Sequence, residues 1–350
     1  MSAVEVAPRG TAAFGAMFRY RIPAPLLWAS AALLVSAASA AAQSVAGEAR
    51  VAVAHNPNPV LEAVSAGVPS PDLRIDVPLV LVPVHVTTAA GRSVTNLTQK
   101  NFTLFEDNVE QNIVSFSCED APVSIGMLFD LSGSMRDKID KARAAAVEFL
   151  KTANPQDEFF LVLFNDKPRL ATGLTRDPDD VRTELAGAKP HGQTALLDAI
   201  HLAVAEMKHA RYSRKALVIF SDGGDNHSRH SEREIKDEML EGDVQVFAMG
   251  IFEPEGAHLR TREERGGPEL LGELAEQTGG RDFPIRRLED LPEACARITD
   301  ELRSEYLLGY SPSNSERDGR FRRVKIVLNP PPDTPRLRVW SRSGYRAPLN

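Results

Sequence analysis

Four stretches in the middle of the chain are almost unbroken apolar runs: 123–129, 159–164, 216–220 and 244–249. Strands covered on both faces, as in parallel sheets, carry that pattern. Between the runs, apolar residues recur at helical spacing. Ile139, Ala142, Ala146, Phe149 and Leu150 share one face, and Leu197, Ile200, Val204 and Met207 share another. Segments 266–278 and 288–303 read as the last helices. Strand and helix alternate over 121–303, which predicts an α/β fold with a doubly wound, mostly parallel sheet.

The flanks have a different rhythm. Residues 77–86 read as an extended strand, and Pro83 within it predicts an edge or a bulge. Runs 102–105 and 112–116 predict a hairpin around 106–108. Three more strands are predicted over 306–310, 321–328 and 337–340. Neither flank has enough strands to cover its own apolar face, and such a face has to be buried. The expectation is therefore that segments 75–117 and 304–347 pair as one β-sandwich with the α/β domain inserted between them. Two hairpin extensions lying separately on that domain are the alternative.

At the N-terminus, Arg19 and Arg21 precede an apolar run over 26–35 and small residues over 38–42. This order describes a secretory signal peptide over 1–42, with Met17 as an alternative start. Residues 43–73 carry Pro and Gly without a sustained period and read as a flexible linker. No segment beyond the leader approaches the roughly 20 apolar residues of a membrane helix, so no transmembrane segment is expected after cleavage. The expected location is outside the cytoplasm, either periplasmic or extracellular and cell-surface associated. In such a compartment Cys118 and Cys295 either pair or remain two separate thiols.

Composition narrows the function. With 43% hydrophobic and 25% charged residues, the chain is an ordinary globular one. Its net charge is −7, and removal of the basic leader makes the remainder more acidic, which argues against nucleic acid as a partner. The chemistry-bearing residues lie where ligands of parallel sheets are bound, after the carboxyl ends of strands. The first run ends in Asp130-Leu131-Ser132-Gly133-Ser134, with a helix expected from near Met135. A later loop holds Gly192-Gln193-Thr194, and the third run leads into Ser221-Asp222-Gly223. Carboxylates and hydroxyls are hard donors suited to Mg²⁺, Mn²⁺ or Ca²⁺. Taken singly, each motif also reads as turn and cap chemistry, with Ser134 as an N-cap and Asp222 in an Asx-turn. Asp225 reads as a solvated loop residue, His227 and His230 as exposed, and Asn165-Asp166 as a turn after a strand. The mixed-charge run over 260–267 reads as a solvated insertion.

Together, Asp130-x-Ser132-x-Ser134, Thr194 and Asp222 resemble the metal-ion-dependent adhesion site (MIDAS) of von Willebrand factor type A (VWFA) domains, which have a Rossmann-like fold. The flanks, with F-x-L-F-E-D at 102–107, Y-L-L-G-Y-S-P at 306–312 and G-R-F-R-R-V-K-I at 319–326, are similar to the VWFA-related proteins of acidobacteria. The resemblance implies a non-enzymatic, adhesion-type module binding one divalent cation, usually Mg²⁺. Ser132 and Ser134 would ligate directly and Thr194 directly or through water. Asp130 and Asp222 would act by hydrogen bonds to waters and serines. The implied partner is a protein or peptide presenting Asp or Glu. Two other readings are a structural scaffold with a vestigial site and a metal-dependent hydrolase. Neither the partner's identity nor the oligomeric state is expressed in the sequence.

Overall fold

The computed structural model describes residues 79–349 apart from 119, 253–261, 333 and 335. The predicted leader and linker lie outside the described residues. Four strands come first: β1 (Val80–Thr88), β2 (Phe102–Glu106), β3 (Val109–Gln111) and β4 (Ile113–Ser117). Then follow β5 (Ser124–Asp130), α1 (Ile139–Thr152), β6 (Glu158–Phe164), β7 (Arg169–Thr175), α2 (Pro178–Gly187), α3 (Leu196–Met207) and β8 (Lys215–Ser221). The alternation continues with α4 (Glu232–Gly242), β9 (Gln245–Ile251), α5 (Arg262–Thr278), β10 (Arg281–Ile285) and α6 (Leu291–Arg303). Four more strands complete the order: β11 (Tyr306–Tyr310), β12 (Phe321–Leu328), β13 (Leu337–Ser341) and β14 (Gly344–Arg346).

The central sheet runs β10-β9-β8-β5-β6-β7 and is parallel except for β7, which is antiparallel to β6. Alternate side chains feed two cores, one on each face. Ile125, Met127 and Phe129 of β5 pack with α1 and α6, and Leu128 packs with α3 on the other side. β8 divides likewise, Val218 and Phe220 against Leu217 and Ile219. Every residue of β5, β6 and β9 is buried, the physical cause of their unbroken apolar runs. The sheet has two strands more than its four long runs indicate. β7 is a partly exposed edge, and β10 buries only Phe283 and Ile285 of its five residues.

Strands from both flanks form two antiparallel sheets, β13-β1-β11-β4 and β14-β12-β2-β3. A shared core joins them, with Val82, Val84, Tyr306 and Leu308 of the first sheet and Phe102, Leu104 and Val324 of the second. The Glu106 carboxylate ties the sheets further, accepting from Tyr310 (2.6 Å) and Tyr345 (2.8 Å).

Two local expectations need correction. β1 is an interior strand, not an edge. Its pairing with β13 starts only at Val84, so Pro83 has a strand on one side alone, that of β11. The predicted hairpin partner of β2 is also different. Asp107 and Asn108, with φ of 47° and 68°, make a two-residue turn that pairs β2 with β3. The run 113–117 instead joins β11 in the opposite sheet. Cys118 and Cys295 are free thiols: Cys118 lies against the Thr95 carbonyl, and buried Cys295 against the Ala145 carbonyl and Met249.

Candidate metal centre

In the central sheet, strand order reverses between β5 and β8: the chain moves outward through β6 and β7, then returns to the other side of β5. The carboxyl ends of β5 and β8 therefore flank the crevice where open α/β sheets place their ligands. Asp130 is the last residue of β5, and Asp222 follows the last residue of β8.

The loop after β5 is held by apolar anchors on either side of its polar residues. Leu131 and Met135 are buried in the core, and the Ser132 carbonyl accepts from the Met135 N–H (3.1 Å). This leaves the Ser132 and Ser134 hydroxyls 3.0 Å apart, Ser132 buried and Ser134 open to solvent. A short 3-10 turn over Gly133–Met135 follows, and α1 begins only at Ile139. The expected helix start near Met135, with its free N–H groups aimed at the site, is therefore displaced by about one turn.

Asp130 is fully buried. Its Oδ1 accepts from the Ser132 N–H (2.7 Å) and its Oδ2 from the Ser221 hydroxyl (2.6 Å). Burial, then the negative charge of Asp222, pushes the Asp130 carboxyl up to about 7. Asp222 is 7% exposed. Its Oδ2 accepts from the Lys138 ammonium at 3.1 Å, while its Oδ1 is buried without a hydrogen-bond partner. The Ser221 hydroxyl, which also accepts from the Gly223 N–H (2.9 Å), links the two acidic loops.

Thr194 joins this group through its backbone. Its N–H donates to Asn226 Oδ1 (2.9 Å), and its carbonyl accepts from the N–H groups of Asn226 (3.0 Å) and His227 (3.1 Å). Its own loop is stitched to the first by the Gly133 N–H on the Gly192 carbonyl (3.0 Å). Gly192 has φ +79°, and a Cβ there would meet the Asp166 carboxylate at 2.5 Å. Gly223, at φ +77°, lies against Gly267 of α5, where a Cβ would come within 2.6 Å of the Gly267 carbonyl oxygen. Direct side-chain or charge contacts thus link Asp130, Ser132, Ser134 and Asp222. Thr194 is tied in by main-chain bonds, and its hydroxyl makes no hydrogen bond among the described residues.

Several neighbours have different places from those their local sequence suggests. Asp225 is not a solvated loop residue: its Oδ1 accepts from the Leu196 N–H (2.9 Å) and the Ser228 hydroxyl (2.6 Å), and so closes the N-terminus of α3. His230 donates its Nδ1–H to the Asp198 carboxylate (2.7 Å) and stacks on His201 at 4.1 Å, while His227 is exposed. Asp166 accepts from the Gln193 N–H (2.7 Å). Lys138 carries no motif signal for its role, and Ser221, although part of the Ser221-Asp222-Gly223 motif, carries none for its bond to Asp130. Among the described residues, no three His, Cys, Asp or Glu side chains gather as a metal-binding cluster. The donors that do meet are two carboxylates and neighbouring hydroxyls.

Residues 126–224, which hold both acidic loops and Thr194, match the sequence profile of the von Willebrand factor type A domain. The chain carries a VWFA domain. A curated human relative, inter-alpha-trypsin inhibitor heavy chain H4, is 24% identical over 147 residues, 37% of this chain and 16% of that protein. The alignment thus spans less than a fifth of the relative's length. Among solved structures, a von Willebrand factor type A protein from Catenulispora acidiphila is similar over 78% of this chain and 74% of its own. Its identity is 14% and its TM-score 0.46. BatB from Bacteroides thetaiotaomicron, 19% identical with a TM-score of 0.42, aligns over its full length with 52% of this chain. No helix among the described residues is long and apolar enough to cross a membrane.

Proposed function

We propose that the chain is an exported protein-binding module that uses its VWFA domain to capture an acidic side chain of a partner through a divalent cation. Asp130, Ser132, Ser134, Thr194 and Asp222 would hold the ion, with Mg²⁺ favoured and Mn²⁺ or Ca²⁺ as alternatives. The observation that carries the reading is the unpartnered, buried Oδ1 of Asp222 beside buried Asp130. A buried acceptor with no donor is costly, and two adjoining carboxylates call for positive charge. Hydroxyls and carboxylates are donors that a hard cation takes. The ion would supply a positive centre for a partner's Asp or Glu.

The remaining work belongs to the protein. The Ser132 N–H and the Ser221 hydroxyl fix the Asp130 carboxylate. The buried anchors Leu131 and Met135 keep the serine hydroxyls together. Ser134 gives the group an open side toward a partner. The nearest hydroxyl partner of each serine is the other, and among the described residues no His or Lys hydrogen-bonds either one. This favours binding over hydrolysis.

Titration calorimetry with Mg²⁺, Mn²⁺ and Ca²⁺ tests the reading. One cation is expected to bind per chain, with affinity falling by about 10–100-fold in Asp130→Ala and Asp222→Ala. Absence of binding to the wild type would leave the scaffold reading in its place.

A further inference from the structure

Beside the proposed metal centre, a cleft of about 520 Å³ opens between the end of β6, α2 and the loop that leads to Thr194. Its floor is apolar, formed by buried Leu131, Leu163 and Phe164. Its rim carries Lys167, Arg169 and Lys189 against a single acid, Glu184. Arg169 faces Glu184 at 3.5 Å. The exposed ammonium groups of Lys167 and Lys189 have no carboxylate within ion-pair distance among the described residues. A local excess of positive charge thus stands on a chain of net charge −7. Asp166 turns away toward the Gly192 loop, where the Gln193 N–H holds it.

The cleft and the metal centre are built on the same backbone. Leu131, between Asp130 and Ser132, donates its N–H to the Phe164 carbonyl (2.7 Å) and accepts from the His191 N–H (2.7 Å). His191, on the cleft wall, is three residues from Thr194, so their α-carbons are at most about 11 Å apart. An extended peptide rises about 3.3 Å per residue and turns alternate side chains to one side. With one acid at the centre, acids two and four residues further along would reach roughly 7 and 13 Å, a span that brackets the upper bound of about 11 Å between Thr194 and the cleft wall at His191. A cleft lined by one sign of charge above a low-dielectric floor concentrates opposite charge.

We propose that this cleft is the second half of the partner site and takes further acidic side chains of the same polypeptide. The partner would then be an acidic extended segment, not a lone carboxylate. The inference rests on the metal-centre reading above and names the class of partner for it. Net acidity of the whole chain speaks against a nucleic acid in the cleft.

The test uses labelled Gly/Ser peptides with one Glu, or with Glu at positions i, i+2 and i+4, in fluorescence anisotropy with the full chain. The three-Glu peptide is expected to bind about tenfold more tightly than the one-Glu peptide in Mg²⁺, with the advantage shrinking as salt is raised. The double variant Lys167→Glu, Lys189→Glu should lose that advantage while its Mg²⁺ affinity by calorimetry stays as in the wild type. Equal affinity of the two peptides, or an advantage that survives charge reversal, overturns the proposal. So does tighter binding of heparin than of the three-Glu peptide, since the occupant would then be a sulfated polysaccharide. An advantage that persists in chelator yet vanishes on charge reversal supports the cleft and overturns the metal-centre reading instead.

Discussion

An ammonium group lies 3.1 Å from Asp222, in the place where the proposed cation would supply positive charge. Lys138 and Asp222 are both largely shielded, so their attraction is stronger than that of an exposed pair. An incoming ion has to displace or share this contact. Lys138→Met is therefore expected to raise Mg²⁺ affinity by about tenfold, roughly 1.4 kcal/mol, in calorimetry; unchanged or weaker affinity would show that the lysine does not compete. The places of Asp130, Ser132, Ser134 and Asp222 were legible in the sequence, because they stand directly after apolar runs that form neighbouring strands, and Thr194 in the loop ahead of a periodic helix. The roles of Lys138 and Ser221 were not. Their contacts bridge 84 and 91 residues respectively, and only the reversal of strand order between β5 and β8 brings them about.

Among the elements, α4 shows how short-range chemistry fixes the exit of the second acidic loop. Ser231 accepts from the Glu234 N–H, and the Glu234 carboxylate accepts from the Ser231 N–H (2.7 Å), a reciprocal cap. Ser231→Ala should lower unfolding free energy by about 1 kcal/mol in chemical denaturation, and no change would mean that water replaces the cap. The long strands of the central sheet were readable because burial on both faces leaves no polar alternation. β7 and β10 were not, since an edge strand and a strand with two buried residues give too little apolar signal. In the flanks, the run 112–116 was visible and forms β4 (Ile113–Ser117), but its partner was not. Asp107 and Asn108 close the hairpin early, onto Val109–Gln111, and the chain then crosses to the other sheet. Three-residue strands such as β3 and β14 are too short for a period of two to register.

At the scale of the molecule, the α/β domain and the paired sheets meet at a buried polar joint. His85 of β1, Glu301 of α6 and Arg281 of β10 converge there, with the Arg281 guanidinium 4.8 Å from the Trp340 ring centre. Burial, aided by Arg281, pushes His85 from its ordinary 6.5 down to about 3. Its contribution to stability is whole above pH 6.5 and is lost as pH falls through 3. Burial pushes Glu301 from 4.5 up to about 7 against the pull of Arg281, so its contribution is whole below pH 4.5 and is lost as pH rises through 7. The two slopes oppose each other between 4.5 and 6.5, and below 4.5 only His85 of this pair contributes. The loss of stability between pH 4.5 and 3 should be about 2 kcal/mol smaller in His85→Leu than in the wild type, measured by urea unfolding at each pH. Equal losses would show that the imidazole is not the group being charged. β1 lies between β13 and β11, so both of its neighbours are synthesised more than two hundred residues after it. On the ribosome the six strands around the acidic loops are all in hand by Ile285, whereas β1 waits alone for the tail to emerge. A nascent chain would thus acquire its α/β half first, and any product cut off before Tyr306 would leave β1 as an unpaired, aggregation-prone ribbon.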